Sequence, residues 1–171
     1  MRDRYRTALA IVFVLSTSAC THSEPTPPPE AQFVGTWDLV SVATRWPDGR
    51  VTAPWGDAPI GRLSYGADGR MSAQLMDARR NQADGRPLAP DFAANAASYF
   101  GAFSVDTVRR VVKHRVAASL RAVESGTLER GYELRGDSLI LRAAATMDGQ
   151  AVTHTLTWRR GVERLPSAER P

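Results

Sequence analysis

The chain has 171 residues, 43% of them hydrophobic and 23% charged, with a formal charge of +4. This is enough chain for one domain with a real core. Its scattered basic residues, densest at Arg109, Arg110, Lys113 and Arg115 with no aromatic platform beside them, argue against a nucleic-acid surface. Cys20 is the only cysteine, so no intrachain disulfide can form.

Residues 1–19 read as a targeting segment: Arg2, Arg4 and Arg6 form a positive start, 8–15 an apolar run, and 16–19 a small-residue approach to Cys20. The apolar run is too short for a permanent membrane helix. Ala19-Cys20 resembles a bacterial lipoprotein processing site, which makes Cys20 the expected lipidation site and a membrane its partner through the anchor; an ordinary secretory signal cleaved near Ala19 is the alternative. Thr21, rather than Asp, after the cysteine resembles an outer-membrane address, giving an expected location in the cell envelope, facing the periplasm. Losing three arginines and one aspartate with residues 1–19 leaves a mildly basic mature chain. Residues 20–31 are a Pro-rich tether, 32–165 the folded domain and 166–171 a tail.

The domain opens with Phe33-Val34-Gly35-Thr36-Trp37-Asp38-Leu39-Val40-Ser41-Val42, a strand by its β-branched and aromatic content. Pro47-Asp48-Gly49 turns it into a short strand over 50–53, and 54–59 is a loop carrying Trp55. A hairpin pairs 61–65 with 70–76 across Gly66-Ala67-Asp68-Gly69. Residues 77–90 are polar and turn-prone, and Asp91 is placed to cap a short Ala-rich helix over 91–98 with Phe92, Ala96 and Tyr99 on one side. Strand character resumes at 103–105. Asp106-Thr107 reverses the chain into a long strand, 108–120, that puts Val108, Val112, His114, Val116, Ala118 and Leu120 on one face.

Three strands between Thr127 and Arg160 can be read with their register. Leu128, Arg130, Tyr132 and Leu134 share a parity, as do Leu139, Leu141 and Ala143, then Val152, His154, Leu156 and Trp158. A two-residue hairpin at Asp148-Gly149 sets Ala143 opposite His154, Leu141 opposite Leu156 and Leu139 opposite Trp158. Matching apolar faces across Gly136 sets Leu134 opposite Leu139, Tyr132 opposite Leu141 and Arg130 opposite Ala143. One inward row therefore reads Arg130, Ala143, His154. The same matching across 121–126 puts His114 opposite Tyr132 or Leu134.

Short antiparallel strands in sequence order indicate an all-β fold, an up-and-down antiparallel β-barrel of eight to ten strands with one short helix at a rim. Nine strands are counted. Nine would close with the first and last parallel, so a tenth near Trp55, or an eight-strand ring with one segment misread, are the alternatives. The tight turns Asp48-Gly49, Asp68-Gly69, Asp106-Thr107 and Gly136-Asp137 fall at one end in this count. The longer connections fall at the other, which makes that rim the expected mouth with the helix as its lid.

Several blocks resemble the lipocalin-like domain proteins of bacteria: the opening strand with Gly35-Thr36-Trp37; Gly61-Arg62-Leu63-Ser64-Tyr65 with Asp68-Gly69-Arg70-Met71; Tyr99-Phe100-Gly101; and Tyr132-Glu133-Leu134-Arg135-Gly136-Asp137. The resemblance implies a barrel with an internal cavity for a small apolar or amphipathic molecule. It also implies an opening strand that starts from the closed end, and an arginine from the far end of the barrel, Arg159 or Arg160, over Trp37.

The residues fit a binding protein whose cavity is lined by Leu128, Leu141, Leu156 and Val116. Arg130 would pair an anionic group, or else reach the rim and pair with an Asp or Glu of the lid, with Tyr132, His154, His114 and Tyr65 as further candidate contacts. The alternatives are a barrel enzyme, an isomerase, cyclase or hydrolase with His114 or His154 as general base, and a structural envelope lipoprotein with a filled barrel. No catalytic residue is assigned and no cofactor is expected. Two interior histidines without a cysteine make only a weak metal site, since a third ligand would have to be an Asp or Glu, and no metal is expected.

Overall fold

The computed structural model describes residues 27–77, 96–120 and 125–161. Nine strands follow one another: β1 Gly35–Arg45, β2 Val51–Thr52, β3 Ile60–Tyr65, β4 Arg70–Met76, β5 Ala96–Asp106, β6 Val111–Ser119, β7 Thr127–Arg135, β8 Ser138–Met147 and β9 Gln150–Arg160. Consecutive barrel strands pair antiparallel, and β1 also pairs antiparallel with β9, closing the sheet. β2 is not part of that ring. It matches Thr52 to Thr44 and Val51 to Arg45, lying on the same edge of β1 whose first residues pair with β3. The barrel therefore has eight strands, the even number an antiparallel ring needs, and the segment at 50–53 is the one misread as a barrel strand.

The C-terminal registers are as the alternation requires: Ala143 faces His154, Leu141 faces Leu156, Leu139 faces Trp158, and Tyr132 faces Leu141. Positive φ at Asp148 and Gly149, 50° and 74°, marks the type I′ turn that holds this register. Two bulges break period two elsewhere. In β1 the register against β9 shifts at Val40, so Trp37 and Leu39 face inward before it and Val42 and Thr44 after it. In β6 it shifts against β5 beyond Val116. Ala118 therefore turns outward, against the parity expected for it. Gly101 sits at that shift, where a Cβ would collide with the carbonyl oxygen of Arg115; only glycine fits.

The expected helix over 91–98 is not borne out where it can be seen. Ala96, Ala97 and Ser98 pair with Met76, Leu75 and Gln74, and 91–95 lie outside the described residues. A helix of so few residues has little stability of its own, and ladder pairing outweighs alanine's helix propensity. The one helical element among the described residues is a 3₁₀ turn, Pro29–Gln32. The long strand expected over 108–120 also shortens. Thr107–Arg110 form a turn in which Asp106 Oδ1 accepts the Arg109 N–H at 2.9 Å, so Val108 and Leu120, 93% and 71% exposed, are not inward. His114 faces Leu128 rather than Tyr132 or Leu134. The slip is an even number of residues, so His114 keeps its inward face.

The 3₁₀ turn and Phe33 close one end of the barrel. Phe33 is fully buried against Tyr65 and Tyr132, with ring centroids 6.0 and 4.9 Å away, both edge to face. Trp37 donates its Nε1–H to Phe33 O at 2.9 Å. Above its ring, at 4.1 Å, lies the guanidinium of Arg160, which also donates to Val34 O and Gln32 O, both at 2.9 Å. Closure of β1 on β9 thus selects Arg160 over Arg159. The opening strand does start from the closed end. The Asp48-Gly49 turn consequently lies at the other rim, with the Asp148-Gly149 turn and the longer connections. Taking β2 out of the ring moves it there.

Candidate functional site

A cavity of about 730 Å³ fills the barrel between the aromatic plug and the rim that carries Trp55 and Met147. That is room for a small organic molecule. Its wall is mostly apolar and includes Leu63, Leu75, Leu128, Leu141 and Leu156. Val116, expected among them, packs into the surrounding core instead. The cavity reaches the rim of long connections, and 91–95, where a lid helix was expected, lie outside the described residues.

Polar groups enter this wall in two places. Deep in it, His114 is almost fully buried, with Tyr65 O at 2.7 Å from Nε2 and Tyr99 O at 3.1 Å from Nδ1. A neutral imidazole satisfies both contacts, accepting from one hydroxyl and donating to the other. Burial, and secondarily the positive charge of Arg130, pushes His114 down to about 3, so the ring is neutral. Burial raises the Tyr65 hydroxyl well above its ordinary value. The charge of nearby Tyr99 adds to this and that of Arg130 opposes it. Nearer the mouth, His154 Nδ1 lies 2.9 Å from Thr44 Oγ1, with Thr44 fully buried.

Arg130 lines the cavity half-buried. Its guanidinium donates to the main-chain oxygen of Glu129 at 3.2 Å, and no carboxylate among the described residues pairs with it. The reason is parity. Glu129 and Glu133, its neighbours on β7, point outward, and the row of carboxylates binds other cations. Glu129 takes Arg109 at 3.1 Å and Lys113 at 3.7 Å, while Glu133 takes Arg142 at 3.1 Å and Arg135. Both carboxyls are held below their usual range, mainly by the hydrogen bonds from Arg109 and Arg142 respectively.

Of the candidate contacts, Arg130, His154, His114, Leu141 and Leu156 line one cavity. Tyr65 lies behind His114, reaching the site through it. Tyr132 does not line the cavity: it belongs to the closed-end plug, packed on Phe33 with Arg110 5.8 Å above its ring. Tyr99, Trp158 and Trp55 are wall residues that the sequence did not single out as contacts, and Thr44 stands behind His154 as its hydrogen-bond partner. Tyr99 would have been found by extending the β5 alternation through Ala97, Tyr99 and, past the bulge, Phe103. Trp158 is inward by parity, opposite Leu139, without a contact role assigned to it.

Residues 34–161 match the lipocalin-like domain family. No curated protein matches the chain. Among solved structures it is similar to the solution structure of a lipocalin whose expression is activated in cell transformation by the myc oncogene, at 12% identity, over 84% of this chain and 80% of that one, with a TM-score of 0.41. With its eight-strand ring, its closed end under Trp37 and Arg160, and a family match spanning nearly all of the barrel, the chain belongs to the lipocalin-like domain family.

Proposed function

We propose that this protein binds a small amphipathic molecule with an anionic headgroup, its apolar body in the barrel and its charge on Arg130. The observation that carries this is the cation itself. Arg130 lines an apolar cavity while the carboxylates beside it are committed to arginines and a lysine on the outer face. A cation in such a wall gains most from an anion that arrives with the ligand. A barrel filled by its own side chains does not accommodate a cavity of about 730 Å³. Enzymatic proton abstraction is poorly served by His114, which two tyrosines engage and which is too weakly basic near neutral pH.

Arg130→Met keeps the stem and removes the fork. With a fluorescent fatty acid as probe, affinity should fall ten- to a hundredfold, the equivalent of about 1.5 to 3 kcal/mol for a charge-assisted bond, while stability stays level or rises. A loss of several kcal/mol of stability would instead mean that a protein carboxylate holds Arg130, and unchanged affinity with unchanged stability would mean that Arg130 faces solvent and takes no part in binding.

The anchor is part of the same proposal: a lipidated Cys20 holds the domain in the cell envelope. Cys20→Ser should move the protein from the membrane to the soluble fraction with its unfolding midpoint unchanged. Wild-type protein found mainly in the soluble fraction would remove the anchor from the proposal.

A further inference from the structure

We infer that the acid group of the ligand lies in a cleft in the barrel wall between β7 and β8, where it bridges the guanidinium of Arg130 and the main-chain N–H of Ala144. This rests on the binding role proposed for Arg130. It widens the ligand class to single-chain acids with a bulky substituent at the head, such as N-acyl amino acids, because a head held in the cleft reaches the outside.

The ladder between β7 and β8 stops early. It runs from Arg135↔Ser138 to Gly131↔Arg142, yet β7 extends back to Thr127 and β8 on to Met147, so the four pairs from Arg130 and Ala143 to Thr127 and Thr146 are missing. Each strand keeps its other neighbour over this stretch: β7 stays on β6 to Thr127↔Arg115, and β8 stays on β9 to Met147↔Gln150. The parting leaves a cleft about 13 Å long that opens on the mouth rim and has Arg130 at its foot. The cavity wall shows the same opening. Ala144 and Thr146 border the cavity, although they are exposed and alternate with the inward Ala143 and Ala145.

The phase of the main chain identifies the groups at the foot. Tyr132 N–H donates to Arg110 O and Val116 N–H to Gly126 O, so even-numbered residues of β7 bond toward β6 and odd-numbered ones toward β8. Arg160 N–H donates to Asp137 O, so on β8 the even-numbered residues face β7. In a continued ladder Glu129 O would accept the Ala144 N–H. It accepts Arg130 Nη1 instead, at 3.2 Å, and the Ala144 N–H faces the cleft without an acceptor among the described residues. A carboxylate between the two accepts one bond from each and supplies the missing rung. On the outer face beside it, Glu129 is tied to Arg109 and Lys113, and Arg142 to Glu133.

Palmitic acid and N-palmitoyl-4-benzoylphenylalanine, whose carboxylate carries a photoreactive side chain next to it, test this by calorimetry and crosslinking on the purified protein. The substituted acid should bind within about threefold of palmitic acid, and on irradiation it should attach to residues 127–131 or 142–146. Ala144→Pro removes an N–H that faces the cleft and no bond to β9, and should weaken both acids about tenfold, whereas Ala144→Ser keeps the N–H and should bind as the wild type does. Arg130→Met should weaken both acids. Rejection of the substituted acid while palmitic acid binds, attachment at residues 52–59 across the mouth, or a folded Ala144→Pro that binds as the wild type does would each overturn the cleft and leave the role of Arg130 standing. Should Ala144→Pro not fold, the crosslinking sites decide. If neither acid binds the wild type, both readings fail.

Discussion

Trp37→Ala is expected to cost the barrel about 3 to 5 kcal/mol, and Arg160→Met about 2 kcal/mol. Trp37 is fully buried, so its removal combines lost transfer energy with a void that the rigid strands around it cannot fill. Arg160 is partly exposed, and its loss strips a cation from the indole face and unsatisfies Val34 O, while Gln32 O can turn to water. The two residues touch, so their effects should not add. The double variant should fall short of the sum by about 1 kcal/mol. Urea unfolding of the four proteins measures this. Strict additivity would mean that Arg160 acts through the carbonyls alone. Arg160→Lys should not restore the wild-type value, since an ammonium lacks the planar fork that bonds two carbonyls while lying on the ring.

Acidification should destabilise the fold well before its carboxylates titrate. In the unfolded chain a histidine titrates near its ordinary value of about 6.5, whereas His114 in the barrel is pushed down to about 3. Between these values the unfolded state binds a proton that the folded state refuses. The stabilisation is therefore complete above about pH 6.5 and is lost as pH falls toward 3. From about pH 6.5 to 4.5 the loss should be about 2 to 3 kcal/mol. Glu129 and Glu133, held low by surface arginines, contribute with the same sign only below the ordinary carboxylate range, and weakly because they are exposed. His114→Gln keeps a donor and an acceptor for the two tyrosines but cannot titrate. Its unfolding free energy should be flatter than the wild type's over that window. Parallel curves for the two proteins would show that the burial of His114 does not govern the acid response.

What the sequence made legible follows from which interactions are local. Residues 127–160 could be read to the individual pair because strict alternation and a two-residue Asp148-Gly149 turn leave one register that buries both apolar faces. Ring closure is a property of the whole chain. The hairpin into β2 looks like any other, and only the meeting of β1 with β9 reveals that it stands outside the ring, puts Asp48-Gly49 at the mouth and chooses Arg160 over Arg159. The bulges at Val40 and beyond Val116 carry no residue signature in a run of small and β-branched side chains, yet each reverses the parity beyond it. The Ala-rich run at 96–98 carries no strand signal of its own and is strand only because β4 lies beside it. The site was legible to the same degree. Arg130 and His154 came from the well-read hairpins, whereas Tyr132 was assigned to the cavity because parity gives the face of a strand but not the depth along the barrel.

The same closure sets how the chain must fold. β1 pairs with β9 from Trp37↔Arg160 to Arg45↔Thr153, joining the two ends of the domain. None of those contacts can form until nearly the whole barrel sequence is present, and the entropy of closing so long a loop comes due before any of them is made. Folding on the millisecond-to-second scale typical of such non-local topologies is expected, roughly as for other all-β domains of high contact order. During that interval β1 and β9 each present a bare edge. The unfinished ring, rather than the native barrel, is the species exposed to edge-to-edge association with another copy.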